Sequence, residues 1–302
     1  MIDIVIINWN SNDYLQKCIH SIFSDSNGQF VNKVFIIDNN SSDSSLQKIL
    51  ANDKIITISN KENLGFAKAA NQGFHLSKAP YVLLLNPDTQ LLDNTLKDCI
   101  SFMETHPDTN ILGCRLLTDK GETSPSCARF PSPAKIFMDC IGFSKVFPKA
   151  FSPAILMTDW DHRSSKYVDQ VMGAFMFMRH STFEKVGYFD ERFFVYFEEL
   201  DFSKRLSDLG GKTFYNTTIS VIHSGEGTTK NVKAFRLFLN IKSRLKYSKK
   251  HFSRSGFLLV WLGTYFIEPF SRTFFLVFSG KFKEIKAVFK GYKMLIRNKS
   301  EL

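Results

Sequence analysis

The 302-residue sequence predicts an α/β fold: a mostly parallel central sheet with helices on both faces. Three observations carry that expectation. Apolar, strand-like runs alternate with stretches of helical periodicity from residue 2 to residue 117. The connections between them are short, as a compact β–α–β arrangement requires. Four of the runs end on polar residues (Asn8, Asp38, Asn60 and Asn86), at the edge where open parallel sheets bind ligands.

Taken in order, residues 2–7 are a near-continuous β-branched run, as in a strand buried on both faces. Ser11 or Asn12 is placed to cap the next helix, in which Leu15, Cys18, Ile19 and Ile22 repeat at helical spacing. Residues 34–37 form a second strand ending at Asp38, and 39–45 a turn leading into a new helix. Strand 55–58, helix 66–77 and strand 81–85 follow, the last broken by Asn86-Pro87. Residues 95–104 read as helix and 111–117 as strand. Residues 121–168 hold five of the nine prolines and little periodicity, with one short helix expected around Phe137, Met138, Ile141 and Phe143. Strand 171–178 contains Gly173-Ala174, a step that permits close backbone approach. Two strands, 212–215 and 219–223, close the body.

Composition excludes several classes. Hydrophobic residues at 44% and charged residues at 23% support a large core and rule out disordered and collagenous chains. Five cysteines, odd in number and without a CxxC pair, favour reduced thiols over a disulfide scaffold or zinc ribbon. The first ten residues read as a strand rather than a signal peptide. Neither GxGxxG nor a Walker A sequence follows the first strand, which counts against dinucleotide redox chemistry and P-loop hydrolysis.

Candidate chemistry gathers at the strand ends and in one acidic cluster. Asp38 precedes Asn-Asn-Ser-Ser and Asp88 sits in Asn-Pro-Asp-Thr; each also suits a plain turn. Glu198, Glu199 and Asp201 place three carboxylates in four positions, with Arg205 one turn beyond Asp201. On a helix Glu198 and Asp201 share a face, and Glu199 points about 100° away. An acidic helix start is favoured by the macrodipole alone. The flanking Phe193, Phe194, Tyr196, Phe197 and Phe202 argue for more: a carboxylate wrapped in aromatics has a raised pKa and suits general-base work. His223, at a strand end before a glycine-containing loop, is either structural or a metal or diphosphate contact.

The pieces 5–10 (VIINWN), 37–43 (IDNNSSD), 63–67 (NLGFA) with Asn71, 84–88 (LLNPD), 193–205 and His223 run in an order that resembles family 2 of the inverting glycosyltransferases, which have the GT-A fold. The likeness covers about residues 1–230 and is nearest to rhamnosyltransferases of bacterial cell-surface polysaccharides. It implies an inverting transfer of rhamnose or a similar sugar from a pyrimidine nucleotide-diphospho-sugar to a glycan acceptor, commonly lipid-linked. By the same resemblance Asp38 reads the base, with Asn8, Trp9 and Asn71 on the donor side. Asp88 closes an Asp-x-Asp metal motif whose first position is Asn86 here, and Mg²⁺ or Mn²⁺ is held by Asp88 and His223. Glu199 matches the catalytic base, with Glu198, Asp201 and Arg205 in support. A sugar nucleotidyltransferase or a non-catalytic nucleotide-sugar-binding scaffold stays open as an alternative; the first would want a basic glycine-rich loop, and residues 8–18 offer only Lys17.

Charge divides the chain. Residues 1–229 hold 22 Lys/Arg and 26 Asp/Glu; residues 230–302 hold 17 and 3. The expectation is a catalytic domain 1–230 (nucleotide half about 1–120, acceptor half about 121–230) and a basic, aromatic helical tail 231–302. Glu268 and Arg272 interrupt the apolar stretch 257–278, too costly for a bilayer span. Two interfacial helices hinged at Pro269, with Trp261, Phe266, Phe270, Phe274 and Phe275 inserted, fit an anionic membrane surface better. A packed helical subdomain is the competing account. The aromatic blocks lack the spacing of single-strand nucleic-acid platforms, so no nucleic-acid partner is expected. A location on the cytoplasmic face of the membrane follows, and cutting the chain near residue 240 is expected to yield a more soluble protein.

Overall fold

The computed structural model describes residues 1–148, 151–225 and 233–298. These divide into two compact units: residues 1–128, 160–191 and 198–225 form one, and 129–148, 151–159, 192–197 and 233–298 the other. The division differs from a single boundary near 230. Segments 129–148, 151–159 and 192–197 group with the C-terminal helices because apolar side chains of each share that unit's core.

The first unit carries strands β1 (Ile2–Asn8), β2 (Val31–Asp38), β3 (Ile55–Ser59), β4 (Tyr81–Leu85), β5 (Thr89–Leu91), β6 (Thr109–Leu117), the two-residue β7 (Thr123–Ser124) and β8 (Cys127–Ala128), β9 (Lys166–Val168), β10 (Gln170–Val171), β11 (Phe175–Arg179) and β12 (Lys212–His223). Its main sheet runs β3-β2-β1-β4-β11-β6-β12-β5. β1 to β4 are mutually parallel, β6 and β12 are parallel, and β11 lies antiparallel between β4 and β6. β12 is one strand where two are expected: its register with β6 shifts between Asn216 and Ser220, and the irregular 216–219 stretch masks the continuity in the sequence.

The helices of this unit are α1 (Tyr14–Ile22), α2 (Phe66–Leu76) and α3 (Thr95–Thr105), then α6 (Ser181–Val186) and α7 (Glu198–Asp208). Strand alternation decides which face each side chain joins. Ile2, Ile4 and Ile6 pack with Leu15, Cys18 and Ile22 of α1 and Leu96, Cys99 and Met103 of α3. On the other side Val5 closes against α2 at Gly73, and Phe74 of α2 stacks on Phe183 and Phe189. Helices thus cover both faces. The start of α1 departs from expectation, since Asp13 takes the cap position and makes no side-chain cap bond; Ser11 and Asn12 are drawn into the loop network described below. The turn after β2 leads only to a 3₁₀ turn, Leu46–Lys48. All five cysteines are free and buried, and burial pushes their thiols up, so none is a poised nucleophile.

The second unit is helical: α4 (Pro133–Ile141), α5 (Phe143–Val146), α8 (Lys233–His251), α9 (Arg254–Leu262), a π-helical turn (Gly263–Ile267), α10 (Glu268–Phe278) and α11 (Phe282–Arg297). Ile136, Cys140, Phe238, Ile241, Leu245, Val260, Tyr292 and Leu295 make its core. Glu268 is buried among Arg244, Arg272 and Thr264, with Arg272 Nη2 2.7 Å away. Burial alone would raise its pKa, but the two guanidinium groups carry it down to about 2. The charges that interrupt the apolar stretch therefore face inward, as a packed subdomain requires. Pro269 lies in the first turn of α10, where no amide donor is needed, so the chain continues helical instead of hinging there. Cutting near residue 240 would strip this core from Ile136, Cys140 and Ala154 and expose them, against the expected gain in solubility.

Candidate active site

The strand order reverses direction of growth at β1, which has β2 on one side and β4 on the other. The carboxyl ends of β1, β2 and β4 carry Asn8, Asp38 and Asn86, in the position where such sheets open a crevice.

Asn8 and Asp38 are buried and joined directly, Asn8 Nδ2 donating to Asp38 Oδ1 at 2.7 Å. The same amide donates to Ser45 Oγ at 2.9 Å and Ser41 Oγ at 3.1 Å. Ser41 in turn donates its hydroxyl to Asp38 Oδ1 at 2.6 Å and its backbone N–H to Oδ2 at 3.1 Å. Asp38 thus caps the loop after β2, accepting from the backbone three residues on. Asn10, in the left-handed region, and Asn12 bind across to Ser42 and Asp43, so the loops after β1 and β2 are laced into one rim. Trp9 sits half-exposed on that rim. Ser41, Asp43 and Ser45 do as much of this work as the residues singled out from sequence, and the Ser/Asn-rich run at 39–45 is their only signal; Ser11, expected as a helix cap, donates to Asn8 instead.

Asn71 is buried on α2 with its amide fully engaged. It donates to Phe189 O and Glu191 Oε1 and accepts from Phe189 N, at 2.9–3.0 Å. Its side chain clamps the 187–191 segment.

The turn after β4 is pinned to β11. Asn86 N–H and Thr89 Oγ1 both donate to Ala174 O, at 3.1 and 3.2 Å, and Thr89 N–H closes the turn on Asn86 O. Asp88 is buried in that turn. Pairing of β5 with β12 sets Thr89 opposite His223, which brings His223 Nε2 to 3.3 Å from Asp88 Oδ1. Among the described residues no group of three or more His, Cys, Asp or Glu side chains is gathered closely enough to hold a metal unaided. One carboxylate and one imidazole are instead the kind of partial donor set that phosphate oxygens complete around Mg²⁺ or Mn²⁺.

The acidic cluster opens α7, all three carboxylates in the first turn, where the helix dipole favours negative charge. Glu198 and Asp201 are buried, as their shared face predicts. Asp201 Oδ2 accepts from Arg205 Nε at 2.9 Å, and Arg205 also donates to the carbonyls of Val186 and Tyr188, tying the helix to the loop before it. Glu199 points elsewhere and keeps some solvent exposure. Its Oε1 accepts from the Gly173 N–H at 3.3 Å. Burial of the carboxyl group raises its pKa, opposed by backbone donors that include Gly173. The aromatic flank has a different place from the one expected: Phe202 meets Phe183 at a tilt and Phe189 edge-on, whereas Phe197 lies tilted against Tyr247 and Tyr196 packs in the helical unit.

One dipeptide links the two acidic positions. Gly173 donates its N–H to Glu199, and Ala174 offers its C=O to the turn that carries Asp88. The absence of a side chain at the first of these sets where Glu199 lies, because a Cβ there would stand 2.6 Å from Glu199 Oε1 and displace the carboxyl group.

Comparison with known proteins settles the family. The Glycosyl transferase family 2 profile matches residues 3–187. The chain belongs to glycosyl transferase family 2. It is 24% identical to the rhamnosyltransferase WbbL of Escherichia coli over 85% of this chain and 97% of that one. It is 25% identical to the low-salt glycan biosynthesis hexosyltransferase Agl10 of Haloferax volcanii, covering 84% and 77%. With the N-acetylglucosaminyl-diphospho-decaprenol L-rhamnosyltransferase of Mycobacterium tuberculosis it shares 25% identity, covering 70% and 72%. Among solved structures it is similar to the mannosyltransferase PcManGT from Pyrobaculum calidifontis in complex with GDP-Man and Mn²⁺ (TM-score 0.56, 10% identity, 98% of this chain and 86% of that one). GalNAc-T7 with UDP, GalNAc and Mn²⁺ gives a TM-score of 0.55 at 12% identity, over 74% of this chain and 43% of that one. The fold is GT-A, and this family 2 member is a transferase.

Proposed function

We propose that this protein transfers a sugar, rhamnose or a similar hexose, from a pyrimidine nucleotide-diphospho-sugar to a hydroxyl of a lipid-linked glycan, with inversion at the anomeric carbon. The observation that carries this reading is the pairing of a partly buried Glu199 with a metal-type turn at Asp88, both held by the Gly173-Ala174 backbone. The printed names of the relatives are those of rhamnosyl- and hexosyltransferases, one of them with a diphospho-decaprenol acceptor, and the neighbours solved with UDP or with GDP-Man, each with Mn²⁺, support a nucleotide-diphospho-sugar as donor; the pyrimidine is the base that the family resemblance implies.

Glu199 accepts the proton of the acceptor hydroxyl as that oxygen bonds to the anomeric carbon and the bond from that carbon to the diphosphate oxygen breaks. The raised pKa of Glu199 makes it a stronger base than a solvated glutamate. Asp88 and His223 would hold Mg²⁺ or Mn²⁺, which supplies positive charge to the departing diphosphate. Asp38 reads the pyrimidine, its carboxylate fixed by Asn8 and Ser41, with Trp9 at the rim. Asn86 contributes to the diphosphate side, and Asn71 acts by holding the 187–191 segment in place. Glu198, Asp201 and Arg205 set the start of α7 so that Glu199 alone faces outward.

The helical unit would keep the enzyme on an anionic membrane surface, on the cytoplasmic side where nucleotide-sugars are made. Among the described residues no helix is long and apolar enough to cross a bilayer. Leu258, Leu262, Phe266, Phe270, Phe274 and Phe278 are spaced four apart and are 41–75% exposed. Steps of four drift by about 40° on an α-helix; the wider π-helical turn at 263–267 offsets part of that drift. Trp261 and Phe275 pack inward instead of joining this row. Lys281, Lys283, Lys286, Lys290 and Lys293 supply the flanking positive charge.

The test is a donor screen. Purified protein is incubated with UDP-, dTDP- and GDP-sugars and a lipid-linked acceptor, with Mn²⁺ or with EDTA, and nucleoside diphosphate release is read. Release with a pyrimidine donor, dependent on metal, is expected; release of pyrophosphate from a nucleoside triphosphate and a sugar phosphate would show a nucleotidyltransferase instead.

A further inference from the structure

The helical unit contains two adjoining grooves of opposite character. The first, about 440 Å³, lies between Phe143, Val146 and Phe147 on one side and Phe270, Phe274 and Phe275 on the other; Ser271 is its one polar residue. The second, about 570 Å³, is bordered by Lys145, Lys233, Arg236, Arg272 and Lys281, with Glu284 the single acid. Phe275 borders both.

The junction is built closely. Gly142, in the left-handed region at φ 94°, ends α4, and a Cβ there would stand 2.3 Å from the Phe275 ring. The ring can approach the helix only because that position is glycine. Lys145 then stands over the same ring, Nζ 5.1 Å from its centroid. Glu284 pairs with Lys233 at 2.8 Å and Glu268 engages Arg272, so among the described residues no carboxylate forms an ion pair with Lys145, Arg236 or Lys281. Burial, and after it the neighbouring Arg272, lower the pKa of Lys145 against the opposing pull of Glu268 and Asp139.

An apolar groove that runs into a basic one matches an amphiphile with a hydrocarbon chain and a multiply charged head. Among the described residues Lys145, Arg236 and Lys281 have no directly paired carboxylate, although Glu284 acts on Lys281 and Glu268 and Asp139 act on Lys145 at longer range; the local excess of positive charge suits a diphosphate better than the single charge of a phosphodiester. We propose that these grooves bind one lipid diphosphate, its chain against Phe143, Phe147, Phe270 and Phe274 and its diphosphate among Lys145, Arg236 and Lys281. The inference rests on the reading of the acceptor as a lipid-linked glycan and names the part of that acceptor which this chain grips. It also separates a specific site from the exposed row 258–278, which would contact bulk lipid: Phe270 and Phe274 belong to both, and Lys145 only to the site.

The test is calorimetric titration of the full-length protein with farnesyl diphosphate, a water-soluble probe, with EDTA present so that metal at Asp88 recruits no diphosphate. Farnesol, inorganic diphosphate and phosphatidylglycerol vesicles are the comparison arms. Farnesyl diphosphate is expected to bind at least about tenfold more tightly than farnesol or inorganic diphosphate, the first tenfold corresponding to about one charge-assisted bond and the second to burial of about two CH₂ groups of the chain. The double substitution Lys145→Gln, Lys281→Gln should weaken farnesyl diphosphate about tenfold and leave farnesol unchanged. Phe274→Glu, at an exposed position that folding tolerates, should reduce farnesyl diphosphate to the affinity of inorganic diphosphate. Equal binding of farnesyl diphosphate and inorganic diphosphate in the unmodified protein would overturn the proposal. Capture by vesicles without farnesyl diphosphate binding would do the same, leaving only a surface patch. Donor turnover in the same preparation keeps the two readings apart: turnover without farnesyl diphosphate binding removes this site alone, and binding without turnover of any nucleotide-sugar removes the transferase mechanism alone.

Discussion

Gly173→Ala tests whether the placement of Glu199 matters to the chemistry. The new Cβ would lie 2.6 Å from Glu199 Oε1, 3.3 Å from Cγ and 3.4 Å from Cδ. Ordinary contact begins near 3.4 Å, so the carboxyl must retreat by about 0.8 Å. A misplacement of about 1 Å in a reacting group costs on the order of 10²-fold in rate, and the expected fall in kcat is therefore about 30- to 100-fold. The displacement also lengthens the Gly173 N–H···Oε1 bond, now 3.3 Å. That bond favours the ionised carboxylate, so losing it raises the pKa further. A base works only when deprotonated; the acid limb of the rate profile should accordingly move to higher pH than in the unmodified enzyme. Gly173 is outside the left-handed region, so alanine adds no backbone strain there and Tm should hold. Initial rates of nucleoside diphosphate release across pH, with donor Kd and Tm alongside, make the assay. A rate within threefold of the unmodified enzyme at every pH, with an unmoved acid limb, would refute the reasoning.

Three further outcomes are expected. Asp88→Asn should remove most of the gain in nucleoside diphosphate affinity that Mn²⁺ confers, measured by titration with and without the metal; an unchanged gain would take Asp88 out of the site. Asp38→Ala should weaken pyrimidine nucleotides selectively, with a loss of stability of about 1–3 kcal/mol from the lost Ser41 and Asn8 bonds; equal loss for purine and pyrimidine nucleotides would leave only the turn. Replacing Phe266 and Phe278 with Ser should cut salt-resistant sedimentation with anionic vesicles severalfold while leaving Tm unchanged, because both are exposed; sedimentation equal to the unmodified protein would return the row to a role in packing between copies.

The body of the fold was legible because its strands are buried on both faces and its helices are amphipathic. Residues 81–85 form the expected strand, and the buried positions of α1 are Leu15, Cys18, Ile19 and Ile22, the four that the spacing marks. The orientation of the acidic cluster was legible for the same reason, since 100° per residue separates Glu199 from Glu198 and Asp201. What the sequence hid depends on long-range partners. Nothing in the run 129–159 says that its helices share a core with residues 233–298. Glu268 and Arg272 read as obstacles in an apolar stretch until Arg244, 24 residues away, is seen to complete the ion-pair cluster. By the family resemblance Asn71 is a donor contact, yet its amide is consumed by Phe189 and Glu191, more than a hundred residues on.

Glu199→Gln is the most direct test of the central claim. Glutamine keeps the size of the side chain and can still accept from Gly173 N–H through its carbonyl oxygen, but it cannot take a proton from the acceptor. Single-turnover transfer from the pyrimidine nucleotide-sugar found in the screen should fall by about 10²-fold or more, the lower range for loss of a general base, while donor Kd stays within about twofold. Retention of more than a third of the unmodified transfer rate would contradict the account and shift the role of base to Glu198.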